Sequence, residues 1–232
     1  MSSKIISNKD NLQVIYEDNH IIAINKRVGD IVQGDKTGDT PLSEVVKQYI
    51  AEKYNKPGAV FLGVVHRLDR PTSGIVIFAR TSKALTRLNN LFSERVTQKT
   101  YWAIVKNEPV TPSGTLIHFL KRNPKQNKSY AHKNEVPDSK KAILEFQVIK
   151  KLNRYSLLEI DLKTGRHHQI RSQLSSIGSP IKGDLKYGFD RSNQDGGIHL
   201  HSRKLSFIHP VKKEKITLLA PPPKDPIWNA SL

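Results

Sequence analysis

Between residues 59 and 79 the chain reads AVFLGVV, then HRLDRPTSG, then IVIFA. The flanking runs are rich in apolar and β-branched residues and carry the pattern of buried strands. The stretch between them brings a histidine, two arginines and a carboxylate. A buried strand does not carry unpaired charge through a core, so the chain must leave the interior here. Pro71 biases Arg70 away from helix, and Gly74 permits backbone angles closed to other residues. The stretch therefore reads as a shaped loop at strand ends, a common position for active sites.

Asp69 lies between Arg67 and Arg70, with His66 before them and the hydroxyls of Thr72 and Ser73 after. Cations and hydrogen-bond donors around a carboxylate favour its ionised form. Such an aspartate is a poor general acid but suits a nucleophile or an electrostatic stabiliser. A loop held by Arg–Asp ion pairs, with no chemistry, fits the same residues.

The rest of the chain is read as short elements. Residues 12–26 carry two β-rich runs around Glu17-Asp18-Asn19, a hairpin signal. Thr40-Pro41 supplies an N-cap and first-turn proline for a helix through about Lys53. Ser82 caps a second helix reaching about Val96. Strands are expected over 59–65, 75–79, 100–106 and 114–120, and a second hairpin turns at Leu152-Asn153-Arg154. HHQIRSQLSSIG is a short helix with Ile170, Leu174 and Ile177 inward and Gly178 at its end. KLSFIHP and KITLLAPPP are two more strands. Residues 121–141 are polar and basic and are expected to form a long exposed loop. Strands and helices mix without βαβ alternation, internal repeat or Ser/Gly linker. The expected fold is α+β, one domain with a mixed, largely antiparallel sheet flanked by helices.

Charge narrows the partner. Among 232 residues, 38 Lys and Arg face 21 Asp and Glu, a net charge of +17. An excess of this size favours a polyanion through steering and counterion release. The chain has no cysteine, which excludes disulfides, thiolate metal sites and cysteine nucleophiles. No apolar run approaches the roughly 18 to 20 residues needed to span a bilayer. The N-terminus lacks the apolar centre of a signal peptide. A cytoplasmic protein is expected.

A second constellation is KTGRHHQIR, residues 163–171. Arg166 and Arg171 sit at the start of the short helix, a place suited to anionic groups. Arg171 follows the core-facing Ile170, so its guanidinium is expected to be partly buried and to need an acidic partner, for which Asp69 is a candidate. His167-His168 and HLH at 199–201 raise a metal site as a rival, but ligand spacing such as His-Glu-x-x-His is absent. GDLKYG reads only as a turn. Tyr101 begins a strand and offers either a ring for base stacking or an ordinary core side chain.

Taken together, these pieces resemble the RluA-type pseudouridine synthases. HRLDRPTSG is similar to that family's signature, and YEDNHIIAINK, KTY, LKTGRHHQIR, GSPIKGDLKYG and LHSRKLSFIHP follow the family's order from about Val14 to Leu219. The resemblance implies a pseudouridine-synthase domain over residues 13–222 with an RNA-binding cleft, a flexible segment over 1–12 and a tail over 223–232. It makes Asp69 the catalytic aspartate, Tyr101 the ring that stacks on the target base, and Arg171 the arginine that pairs with the aspartate. Arg67 matches the arginine that enters the RNA stack as the uridine leaves, and Ile170 helps line the base pocket. His66, Arg70, Arg166 and His168 stand in the same motifs and are expected to contact RNA or base. Two departures stand out. The family's commoner GRTHQIRxHL is here GRHHQIRSQL, with His167 and Gln173 replacing Thr and His, and NKP is here Asn25-Lys26-Arg27.

The implied reaction breaks the N1–C1′ bond of a uridine, turns the base and rejoins it through C5, with the nucleotide flipped from its stack. Asp69 attacks C1′, attacks C6 or removes a ribose proton; the residues do not choose among these. The reaction calls for neither metal nor cofactor. The partner implied is structured RNA, ribosomal rather than transfer RNA, bound by a monomer. The alternatives are a non-catalytic RNA-binding or ribosome-assembly protein on the same fold, and an N-glycosidic hydrolase, for which a second carboxylate is wanting.

Overall fold

Asp18 makes the first hairpin. Its Oδ1 accepts hydrogen bonds from the backbone amides of His20 and Ile21, at 2.8 and 2.9 Å. Val14–Glu17 (β1) thereby turns back along Ile21–Lys26 (β2) as an antiparallel pair. The computed structural model describes residues 5–232, so the start of the expected flexible segment, residues 1–4, lies outside the described residues. Within the described remainder, the Ser7 amide and hydroxyl both bond to Asp30.

The chain forms two compact units. The first runs through Thr97 and adds Ser202–Pro223; the second is Gln98–His201 with Lys224–Leu232. Elements are numbered in chain order. In the first unit, β2 pairs antiparallel with Ser73–Ala79 (β4), and Gly63–Val64 (β3) pairs with the far end of β4. Leu200–Ile208 (β10), which enters this unit at Ser202, neighbours β4 and carries Lys215–Leu219 (β11). Both faces of the sheet are covered. Ile21, Ala23, Ile75 and Ile77 pack on one side with Ala84 and Leu88 of helix Ser82–Ser93 (α2). Ile22, Ile24, Val76 and Phe78 pack on the other with Leu42, Val46 and Ile50 of helix Leu42–Lys53 (α1). Two-sided burial explains why β2 and β4 read as unbroken apolar runs.

The second unit is an antiparallel sheet in the order Gln98–Val105 (β5), Ser156–Leu162 (β9), Lys140–Lys151 (β8), Ser113–Asn123 (β6) and Lys128–His132 (β7). Helix Gln169–Ser176 (α3) and a 3₁₀ turn at Leu185–Tyr187 belong to it. So does Pro226–Ser231 (α4), in the stretch read as a tail. Asp225 Oδ1 caps this helix at the amides of Ile227 and Trp228, and Trp228 packs against Ile104 and Leu157. The α+β class therefore holds.

Several local expectations are corrected. Residues 121–141 are a loop only over 133–139: before that β6 runs on to Asn123 and β7 returns, turning where Asn123 Oδ1 accepts from Gln126 N and Asn127 takes a φ of 45°. Only Leu120, Ser129 and a few neighbours of this hairpin are buried, so the period-two signal is hidden in polar residues. Pro41, not Thr40, occupies the cap of α1, with no side-chain cap. Thr81, not Ser82, caps α2, its Oγ1 accepting from Ala84 N at 3.2 Å, and the helix ends at Ser93. The strand expected over 59–65 shortens to Gly63–Val64.

Candidate active site

The loop from 65 to 72 joins β3 to β4 in the first unit. Its shape comes from backbone bonds. Asp69 O accepts from Thr72 N at 3.0 Å, and Arg70 O accepts from Gly29 N at 2.9 Å. Lys26, at the end of β2, adds a second donor to Arg70 O at 3.2 Å and also bonds Arg27 O at 2.9 Å. The Lys26 side chain is 1 % exposed. Burying an ammonium costs several kcal/mol unless its donors are satisfied, so these carbonyls fix where the loop can run. Where the loop enters β4, Gly74 has a φ of 112°, and a Cβ there would lie 2.4 Å from Ser202 O. Only glycine allows this approach of two backbones.

On this frame Asp69 is half-buried and Arg67 is exposed. His66 faces inward: its Nε2 accepts from Ile77 N at 3.1 Å and its ring stacks on Phe92 at 4.8 Å. The proton must therefore sit on Nδ1 when the ring is neutral. Arg70 Nη2 turns to the 35–39 loop, 2.7 Å from Asp39 Oδ2 and 2.9 Å from Thr37 Oγ1. The acidic GDKTGDT loop thus braces an arginine.

In the second unit lie Tyr101 on β5, paired with Ile160 of β9, and Ile170 and Arg171 on α3; they are 8 %, 4 % and 5 % exposed. Arg171 follows Ile170 into the interior, where Asp184 meets it. Asp184 Oδ2 is 2.7 Å from Nε and Oδ1 is 2.9 Å from Nη2, a bidentate pair. The residue read as a turn is thus an acidic partner of the kind that a buried Arg171 requires. The Tyr187 ring lies 5.0 Å beneath the guanidinium, and its hydroxyl accepts from Ser129 N at 2.8 Å and meets His168 Nδ1 at 3.0 Å. His168 holds a left-handed φ of 51° immediately before α3. Arg166 lies ahead of the helix rather than within it, and its Nε donates to Lys141 O at 3.1 Å. Gln169 pins the approach, accepting from Arg166 N and Thr164 Oγ1 while donating to Ile143 O.

The two departures from the family's commoner motif are also accounted for. His167 Nδ1 is 2.9 Å from Ser129 Oγ and Nε2 is 3.1 Å from Asn127 Oδ1, both on the β6–β7 hairpin. Gln173 Nε2 reaches Leu116 O and His118 Nδ1, both at 3.1 Å. The histidines raised as metal ligands are engaged with protein groups, His199 with Asn193 and Asp225. Among the described residues no cluster of metal-ligating side chains forms, and no helix is long and apolar enough to cross a membrane.

Sequence reasoning missed Lys26, Asp184, Tyr187 and His167 as parts of this framework. The usable signals were a lysine closing a strand that opens on four apolar residues in a row and a buried arginine in search of an acid.

The sequence model of the RNA pseudouridylate synthase family matches residues 20–176. An uncharacterised RNA pseudouridine synthase of Bacillus subtilis is 33 % identical over 228 residues, covering 97 % of this chain and 73 % of the relative. Ribosomal large subunit pseudouridine synthase D of Xylella fastidiosa is 32 % identical over 228 residues, covering 92 % of this chain and 67 % of its own. Across these and other similar curated relatives, the matched region spans 65 to 77 % of the relative's own length. Human RNA pseudouridylate synthase domain containing 4 shares the fold, with a TM-score of 0.76 at 22 % identity over 94 % of this chain and 91 % of that one.

Proposed function

Because the chain belongs to the RNA pseudouridylate synthase family, we propose that it converts a specific uridine of structured RNA, ribosomal rather than transfer RNA, to pseudouridine, with Asp69 as the catalytic carboxylate. The observation that carries this reading is the Asp69 loop itself. HRLDRPTSG is intact, half-buries the carboxylate and is clamped through Arg70 O by Gly29 N and Lys26 Nζ. A carboxylate on a fixed turn spends no free energy on finding its place during reaction.

The target nucleotide leaves its stack to reach such a carboxylate, at a cost of about a few kcal/mol. The exposed Arg67 is the wedge that fills the space it vacates. Tyr101 supplies the ring against the flipped base, and Ile170 the apolar wall. Asp69 then acts on C1′, on C6 or on a ribose proton; the base turns and rejoins through C5, so atoms balance without an external reactant. The ribosomal preference rests on the name of the Xylella fastidiosa relative and on the charge of +17.

The test is tritium release from cellular RNA labelled at uracil C5, using wild type and Asp69→Ala. Release by wild type and none by the variant is expected. Absence of release from ribosomal and transfer RNA alike would overturn the reading in favour of a non-catalytic RNA-binding protein. Release of free uracil would mark a hydrolase instead.

A further inference from the structure

The basic stretch 121–133 has no place in the reaction just described, yet it is built. Lys121, Arg122, Lys125, Lys128 and Lys133 all precede the first acid, Glu135. Antiparallel register sets Lys121 directly across from Tyr130, so both side chains rise from the same face of the β6–β7 hairpin. Tyr130 is 41 % exposed, and its hydroxyl donates to Gln126 Oε1. Lys128 Nζ lies 5.3 Å from the centre of the Tyr130 ring and 5.2 Å from that of Tyr187. Tyr187 in turn lies beneath Arg171. Rings and cations therefore alternate from the exposed Tyr130 to the buried Arg171.

The hairpin is fastened to this series. His167 bonds Ser129 and Asn127, Tyr187 Oη accepts from Ser129 N, and Lys186 Nζ donates to Asn127 O at 3.1 Å. An exposed ring among lysines, on a hairpin tied down at its turn, has the chemistry that unpaired RNA meets: π-stacking for a base and ammonium groups for the adjoining phosphates.

We propose that the Tyr130 face of the β6–β7 hairpin is a second RNA-contact site, where an unpaired base outside the target nucleotide stacks on Tyr130 and its phosphates meet Lys121 and Lys128. The His167 latch fixes this platform in register with Arg171. The proposal rests on the reading of the substrate as RNA.

The test uses the full chain and a short, dye-labelled, single-stranded oligouridylate RNA followed by fluorescence anisotropy. Tyr130→Ala should weaken binding about tenfold, while Tyr130→Phe, which keeps the ring, should bind as wild type does. Replacing Lys121 and Lys128 together by Gln should reduce the slope of log K against log salt by about 1.4. Binding by Tyr130→Ala within about twofold of wild type would overturn the proposal. So would a Phe variant as weak as Ala, or failure of wild type to bind the probe. Tritium release is measured alongside, with Tyr130→Ala expected to raise KM and leave kcat near its wild-type value. A wild type that binds the probe through Tyr130 but releases no tritium would remove the isomerase reading and leave this site standing.

Discussion

Asp184 grips Arg171 along one edge of the guanidinium, through Nε at 2.7 Å and Nη2 at 2.9 Å, with both side chains almost wholly buried. The pair therefore sets the direction in which the arginine points as well as its charge balance. Asp184→Ala removes both carboxylate bonds from a buried cation and should lower stability by about 3–5 kcal/mol. Asp184→Asn keeps the shape, loses the charge and should cost less. Urea unfolding of the two variants, read beside tritium release, checks this; activity should drop in both. Full activity in Asp184→Asn would show that Arg171 orientation does not depend on the carboxylate.

Lys26 is the corresponding support in the other unit. Lys26→Met keeps the length and burial but removes the donor to Arg27 O and one donor to Arg70 O. A carbonyl left without its partner costs about 1–3 kcal/mol. Loosening the Asp69 turn should also lower kcat about tenfold, with RNA affinity changed less than about threefold. Single-turnover kinetics separates the two. An unchanged kcat would mean that the Arg70 carbonyl does not position Asp69.

Gly74→Ala combines a strained φ with a Cβ 2.4 Å from a backbone oxygen. Neither fault is relieved by rotating a side chain, so the loss should be about 3 kcal/mol or more. Chemical denaturation measures it. Gly58→Ala, at a site where an added Cβ meets nothing within 4 Å, is the matched control and should stay within about 1 kcal/mol of wild type.

Acid should weaken the first unit in two stages. Burial pushes the His209 imidazole below its usual range, although Asp18 lies 2.9 Å from Nε2. The Val211 and Lys212 amides donate to Nδ1, and protonation there would forfeit both bonds. The unfolded chain thus binds a proton that the folded one refuses, and stability declines as pH falls below about 6.5. Burial would raise the Asp18 carboxyl, but the amides of His20 and Ile21, the Tyr16 hydroxyl and His209 outweigh it and hold the group at about 2. Its contribution is present above the usual carboxylate range and is lost as pH falls toward about 2. Thermal melts between pH 8 and 3, at about one-unit steps, should decline in both windows, and His209→Gln should shrink the first but leave the part due to His118, which burial also holds below its usual range.

What could be read from the sequence follows what local chemistry records. The charged break at 66–74 stood out because it separates one apolar run from another that is buried on both faces, β4, and the hairpin at Asp18 because its turn residue bonds the amides of His20 and Ile21. The β6–β7 hairpin was hidden because most of its residues face water, leaving polar side chains where a period of two would show. The Arg171–Asp184 pair could be anticipated only on one side: burial of an arginine demands an acid, but no spacing rule names one thirteen positions away in a turn. Lys26 reads as a surface residue until the strand it ends is seen to be covered.

The first unit is written in two pieces, with β10 and β11 supplied by residues after 201. Ser202, which Gly74 nearly touches, is made by the ribosome long after the Asp69 loop has left it. On a growing chain, therefore, the strand that closes against the loop does not yet exist. The bonds that shape the turn, from Gly29 N and Lys26 Nζ to Arg70 O, join residues already made by then, so the loop is held from the β2 side first and closed from the other only when Ser202 arrives against Gly74.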